Sequence, residues 1–234
     1  MMQENNSVYI VEEVIRETEN VVTLKLSCKD GLPSYIPGQF ITVFFPETNH
    51  LEGKSYSISS APHEKNMSIT VKGVGVFSNA LSAKKVGDTI TASPPYGYFY
   101  SESETSSLVI VTGGIGIAPF RSMIVNSLYK NRERKIILLY ANKTKSSIIF
   151  RKEFDELEKK FPESFKVVYY ITQEIDVDGA VHGRIAVTDI VKESVAITES
   201  EIFLCGSIAF VRDYWRDLKA SGVSEEKIYT EAFF

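Results

Sequence analysis

Cysteine is scarce in these 234 residues: there are two, Cys28 and Cys205, and no CxxC. That excludes zinc ribbons and thioredoxin-type dithiol chemistry, and a four-cysteine iron–sulfur cluster cannot be held by this chain alone. Histidine is as thin. His50, His63 and His182 are scattered and have no metal-ligand spacing, so no metal is expected. No run approaches the ~20 apolar residues of a membrane span. Met1 to Ser7 is polar and lacks the apolar stretch of a signal peptide, which predicts a cytoplasmic protein. Positive charge is not in excess either. The formal net charge of −4 argues against nucleic acid or anionic membrane surfaces as partners.

What is present is ordinary for a globular chain, with enough length for two domains of about 100–130 residues each. The texture changes along it. Residues 7–100 alternate short β-type runs with turn signals. The runs are Val8–Ile15, Val21–Ser27, Gln39–Phe45, Ser55–Ser60, Met67–Lys72 and Asp88–Ser93, with one helix expected near Phe77–Lys84. This spacing predicts an antiparallel sandwich or barrel. Residues 101–107 are small and polar and read as a linker. Beyond them strands and helices alternate. Five strands are expected: Leu108–Thr112, Lys135–Tyr140, Phe165–Ile171, Glu201–Cys205 and Lys227–Thr230. Phe120, Ile124 and Leu128 make one helical stripe; Arg151–Phe161 and Phe210–Ala220 make two more helices. The rhythm predicts a parallel five-stranded sheet covered by helices. The expected division is 1–102 and 103–234.

Several segments carry chemistry. In Val111–Met123 a buried strand runs into glycines and then a helix, with Pro119 in the first turn. Glycines let backbone approach a pyrophosphate, and the helix start offers unpaired N–H groups. A plain strand-to-helix turn fits the same residues. Gly53–Pro62 alternates Tyr56 and Ile58 with Ser55, Ser57 and Ser59, as a half-buried strand with a solvated serine face also would. Gly73–Leu81 places glycines before Ser78 at a possible N-cap, which suits either an anion or an ordinary turn. Cys205-Gly206 closes a predicted strand, and Glu231–Phe234 closes the chain.

Together these pieces resemble the ferredoxin–NADP reductase superfamily from about Val8 to Phe234. Tyr35–Phe40 is similar to its PGQF segment and Lys54–Ser57 to its RxYS flavin motif. Gly75–Ser78 is similar to its flavin-phosphate motif and Pro95–Phe99 to its PxGxF. Thr112–Ser122 is similar to its nicotinamide-domain loop, and Cys205-Gly206 with the terminal Glu-x-aromatic complete the set. The resemblance implies a flavin-binding β-barrel followed by a nucleotide-binding α/β domain, with the flavin between them. It implies an NAD(P)H-dependent oxidoreductase using FAD and NADH or NADPH. It also implies roles: Lys54 and Ser55 in the flavin motif, Tyr56 stacked on the flavin, and Ser57 near its reactive nitrogen. Val71, Lys72, Gly75, Val76, Phe77 and Ser78 line its ribityl and phosphate part. Thr112, Gly113, Gly114, Gly116 and Pro119 hold the nicotinamide nucleotide, with Cys205 and Gly206 by its ring. Ser57, Cys205 and Glu231 are the implied catalytic side chains, and Phe233 covers a flavin face.

The chain departs from the family in places. Lys54 stands for an arginine, keeping charge but losing the bidentate fork. Thr172-Gln173 lacks the Ser-Arg pair of NADPH-specific members, while Leu138–Thr144 is similar to NADH-using cytochrome b5 reductases. Lys143, Lys145 and Arg151 supply positive charge there or form a solvated basic face. With no room expected for a fused globin or ferredoxin, the acceptor is a separate ferredoxin, flavodoxin, oxygenase component or small oxidant. An electron-transfer subunit of a larger complex and a non-catalytic nucleotide-binding module remain open. Lys130, Arg132, Arg134 and Lys135 form either a docking patch for an acidic ferredoxin or a solvated helix end.

Overall fold

The computed structural model describes residues 6–45, 50–193, 197 and 199–233. The β-branched runs of the first hundred residues form β1 (Ser7–Thr18), β2 (Val21–Cys28), β3 (Phe40–Phe45), β4 (His50–Ser57), β5 (Met67–Lys72) and β6 (Thr89–Ala92), with helix α1 (Val76–Ser82) after β5. All pair antiparallel, in the order β4-β3-β6-β1-β2-β5. Just past β4 the chain bends onto β5: Ser59 N–H donates to the Ser68 carbonyl at 2.8 Å, and Ile58 bridges Ile69. The two edge strands thus meet, and the sheet closes toward a barrel that hides its edges. Tyr9, Val11, Leu24, Leu26, Ile41, Val43, Ile58, Met67, Ile69 and Val71 fill the interior, all fully buried.

Burial of Ser57 and Ser59 corrects the solvated serine face, of which only Ser55 is exposed; Ser68 and Thr70 beside it on β5 are buried too. Ser59 Oγ shares hydrogen bonds with Ser68 Oγ and Thr70 Oγ1, both at 2.9 Å, and Thr70 reaches Thr23 at 3.0 Å. Shut off from water, these hydroxyls satisfy one another.

In the second half, the strands are β7 (Leu108–Gly113), β8 (Ile136–Asn142), β9 (Phe165–Ile171), β10 (Ala180–His182), β11 (Glu201–Ser207) and β12 (Ile228–Phe233). They alternate with α2 (Ala118–Lys130), α3 (Arg151–Lys160), α4 (Val187–Glu193) and α5 (Ile208–Ala220). The sheet is parallel throughout, in the order β10-β9-β8-β7-β11-β12. Among the described residues it has six strands where five were expected. The extra strand, β10, is three residues at the sheet edge, largely exposed, and too short to show a period of two. The short α4 was likewise not foreseen.

Contacts group Met1–Tyr100 with Ala118–Asn126 as one unit, and Ser101–Ile117 with Ser127–Phe234 as the other. In the second unit, Arg134 departs from both sequence readings. It is 7% exposed and pairs with Glu201 at 3.2 Å. Its guanidinium also donates to Ser101 Oγ at 2.6 Å and to the Ser106 carbonyl at 2.8 Å. The polar stretch 101–107 is therefore anchored at both ends by one buried arginine. Arg134 belongs to neither a docking patch nor a solvated helix end. Among the described residues no helix is long and apolar enough to cross a membrane.

Candidate functional site

On the barrel, β4 presents Lys54 and Ser55 to solvent and leaves Tyr56 half-buried, while Ser57 is buried. Their β3 partners run in order: Lys54 opposite Val43, Ser55 opposite Thr42, Tyr56 opposite Ile41, Ser57 opposite Phe40. The Tyr56 ring lies nearly parallel to that of Phe77 from α1, 18° off with centroids 6.3 Å apart. Burial pushes the Tyr56 phenol up to about 12. It stays neutral, a flat aromatic surface with a polar tip.

Beyond β5, Val71 is wholly inside the barrel, so only its backbone is available to a ligand, and Lys72 is half-exposed. The N-cap of α1 is Gly75 rather than Ser78. Ser78 is the third helical residue, and its Oγ accepts the amides of Val74 at 3.0 Å and Gly75 at 3.1 Å. This leaves the amides of Val76, Phe77 and Ser78 as the helix start's donors without a helical partner. A Cβ built on Gly75 would meet nothing within 4 Å, and Val76 is exposed. An accessible ring, a lysine and an open glycine turn suit a planar ligand carrying phosphate.

In the second unit, β7 ends at Gly113 and passes through a tight turn, Gly114–Ile117, into α2, whose first turn holds Pro119. The glycines there do different things. Gly114 has φ +55° and open space where a Cβ would be. Gly116 lies on the backbone of β11, where a Cβ would come 2.6 Å from the Cys205 carbonyl oxygen. Gly113 and Gly206 both make room for the Phe210 ring, at 3.3 and 2.9 Å from the missing Cβ. Thr112 is fully buried, and its hydroxyl donates to the Cys205 carbonyl at 2.8 Å.

At the carboxyl ends of β11 and β12, Cys205 stands opposite Glu231 and Ser207 opposite the half-buried Phe233. Cys205 is fully buried, and desolvation, helped by Glu231, raises its thiol well above the ordinary range. It is neutral and no nucleophile. Desolvation also raises Glu231 to about 7, and its Oε2 is buried without a hydrogen-bond partner. At the end of β8 the Asn142 amide nitrogen is likewise buried and unpartnered. Unsatisfied polar atoms beside an open glycine turn, at the carboxyl edge of a parallel sheet, fit a bound dinucleotide. Asn142 was not singled out from sequence, because an amide at a strand end has no motif of its own.

Residues 8–100 match the oxidoreductase FAD-binding domain family, and residues 110–215 match the oxidoreductase NAD-binding domain family. The chain thus pairs an oxidoreductase FAD-binding domain with an oxidoreductase NAD-binding domain, and its fold is that of ferredoxin–NADP reductases. It is 31% identical to flavohemoprotein A of Dictyostelium discoideum, an alignment covering 96% of this chain and 59% of that protein. It is 29% identical to the flavohemoprotein of Bacillus subtilis, covering 96% and 58%. The chain thus spans less than two thirds of these curated relatives. Among solved structures, it superposes with TM-score 0.84 and 26% identity on the flavohem-like FAD/NAD binding domain of nitric oxide dioxygenase from Vibrio cholerae, covering 98% of this chain and 99% of that one. A ferredoxin NADP+ reductase from Neisseria gonorrhoeae with bound FAD and NADP shares the fold, at TM-score 0.83 and 19% identity, covering 99% and 100%.

Proposed function

We propose that this chain is an NAD(P)H-dependent flavoprotein reductase, holding FAD on residues 1–102 and the nicotinamide nucleotide on 103–234. It takes hydride from the nucleotide and passes electrons to a separate redox acceptor. The observation that carries the reading is the Cys205–Glu231 pair beside the glycine turn, a neutral thiol next to a carboxyl titrating near 7 with an unpaired oxygen. When bound, FAD supplies the hydride acceptor and the electron outlet.

The chain's own residues bind, orient and exclude water. Tyr56 offers its aromatic face to the flavin ring, and Ser57 offers a hydroxyl beside it. Lys54 and Ser55, with Lys72 and the Gly75–Ser78 turn, hold the phosphate end through charge and amides. The backbone of Val71 borders that stretch. Thr112, Gly113, Gly114, Gly116 and Pro119 form the nucleotide turn. Cys205 is wholly buried, so it supports the nicotinamide from behind and offers only its backbone, together with Gly206. Glu231 holds or releases a proton near neutral pH, and Phe233 adds an aromatic surface.

The acceptor reading draws on the relatives. They are flavohemoproteins; solved neighbours include a cytochrome P450 reductase and the ferredoxin reductase of a carbazole dioxygenase. A haem protein, a ferredoxin or an oxygenase component is the acceptor class we propose. NADH is the favoured donor. Thr172 and Gln173 carry no arginine, and Arg151 lies over the Tyr169 ring and is bonded to the Asp178 carbonyl at 3.2 Å, with its Nη1 buried and without a hydrogen-bond partner.

Purified protein mixed anaerobically with NADH, and separately with NADPH, tests this. The flavin band near ~450 nm is expected to bleach, faster with NADH. A flavin-loaded protein bleached by neither nucleotide would sink the reductase reading.

A further inference from the structure

Tyr140 directly follows the aliphatic run Ile136–Leu139, near the carboxyl end of β8. It is fully buried and stands opposite Thr112 of β7. Its hydroxyl donates to the Gly114 carbonyl at 2.9 Å and accepts the Ile149 amide at 3.3 Å. A phenol has one proton to give, and here it goes to the glycine turn.

That bond has a geometric consequence. In a trans peptide the C=O and the following N–H point in opposite directions. Drawing the Gly114 carbonyl onto Tyr140, inside the domain, turns the Ile115 N–H away from β8. Ile115 is the second residue of a helical turn, where an amide has no partner within the helix. Beside it the position of a Gly114 side chain is open. On the other flank, Gly116 lies against the Cys205 carbonyl, with β11 and β8 on either side of β7. The turn is therefore gripped by both neighbouring strands, by backbone contact on one side and by a single hydroxyl on the other.

We propose that Tyr140 is a positioning residue for the nicotinamide nucleotide: its hydroxyl fixes the Gly114–Ile115 peptide so that the Ile115 amide faces the pyrophosphate, and ties this turn to the stretch around Ile149. The proposal rests on the reading that Gly114–Ile117 receives the nucleotide. Tyr140 touches no reacting atom, so it should govern nucleotide affinity and not the rate of hydride transfer once the nucleotide is bound.

The test is Tyr140→Phe, which keeps the ring and removes the hydroxyl. In anaerobic stopped-flow, the half-saturating NADH concentration is expected to rise about tenfold, with the limiting bleaching rate within twofold of wild type. ADP-ribose, which carries the pyrophosphate without nicotinamide, should weaken by the same factor in calorimetry. An unchanged half-saturating concentration, or a fall in limiting rate alone, overturns the proposal. A wild type that binds ADP-ribose but is not bleached overturns the reductase reading instead, and the calorimetric comparison still decides the role of Tyr140. Should the variant be unstable, hydrogen exchange on wild type serves: ADP-ribose should slow the Ile115 and Ile149 amides together. Slowing at neither, or at Ile115 alone, overturns the link.

Discussion

Cys205 and Glu231 face each other residue for residue across two parallel strands, and burial shifts both toward their neutral forms. A thiol and a carboxyl that would repel as anions are thereby kept side by side. The carboxyl's position near 7 makes the site pH-dependent in the physiological range.

Glu231→Gln should be more stable than wild type at high pH only. The folded carboxyl titrates near 7 against an ordinary 4.5. Ionising it therefore opposes folding: the penalty is absent below about 4.5, grows up to about 7 and is complete above. At pH 8 the glutamine variant should gain on the order of 2 kcal/mol, vanishing near pH 4. Urea unfolding at the two pH values measures it. An equal gain at both would show that Glu231 is not desolvated as described. The pH dependence of flavin bleaching across pH 7 should flatten in the same variant.

Arg121→Ala should loosen the start of α2 from the barrel segment that follows β4. Arg121 pairs with the Glu64 carboxylate at 2.9 and 3.1 Å and donates to the Ser59 carbonyl at 2.8 Å. Desolvation works against the charged Glu64, but hydrogen bonding and charge from Arg121 prevail and hold its carboxyl below the ordinary range. That stability is present above the ordinary carboxylate pKa and is lost as pH falls through the depressed one. The substitution should cost about 2–4 kcal/mol at pH 7, and less in acid. Chemical denaturation at pH 7 and pH 3 is the measurement. A cost that does not shrink in acid would assign the loss to packing rather than to the ion pair.

Arg134→Ala should be among the most damaging changes in the second unit, costing about 3–5 kcal/mol by leaving Glu201 buried and unpaired. Arg134→Met combined with Glu201→Met should recover much of this, because a buried ion pair contributes little beyond a well-packed apolar pair. Melting temperatures of wild type, single and double variants settle it. A double variant as unstable as the single would mean that Ser101 and the Ser106 carbonyl depend on the arginine more than the ion pair does.

Gly116→Ala and Gly114→Ala should differ in kind. At 116 the new methyl meets the Cys205 backbone at 2.6 Å and the turn must move. At 114 nothing is in the way, and the cost is the positive φ, about 1–2 kcal/mol. Gly116→Ala should abolish nucleotide-driven bleaching while the flavin remains bound. Gly114→Ala should retain bleaching at lower affinity. Equal losses would contradict the division of roles between the two glycines.

Much of this architecture was legible in the sequence. Strand runs such as Met67–Lys72 and Phe165–Ile171 fall where period and β-branching put them, because each strand must bury one face or both. Length hid β10 and α4, which are too short for a period to register. Tertiary context hid the rest. Nothing local distinguishes buried Arg134 from its exposed neighbours Arg132 and Lys135 until Glu201, 67 residues on, reaches it. Ser78 read as a cap but serves one turn later, since the choice among glycine and serine caps depends on backbone dihedrals. Tyr140 lay inside the Leu138–Thr144 stretch, but nothing there singled it out from its neighbours. The motif glycines were legible as glycines, but which leave open space and which face Phe210 was not.

That shared ring links the fates of distant positions. Gly113 and Gly206 sit on different strands and 93 residues apart, yet a single aromatic from α5 occupies the volume denied to both. Over evolutionary time they should drift as a trio. A lineage that shrank Phe210 would release two glycines at once. A lineage that acquired alanine at 206 first would meet a clash that only a change at 210 could relieve. In an alignment of close relatives, the mark of this packing is correlated variation at 113, 206 and 210, visible even where no ligand is known.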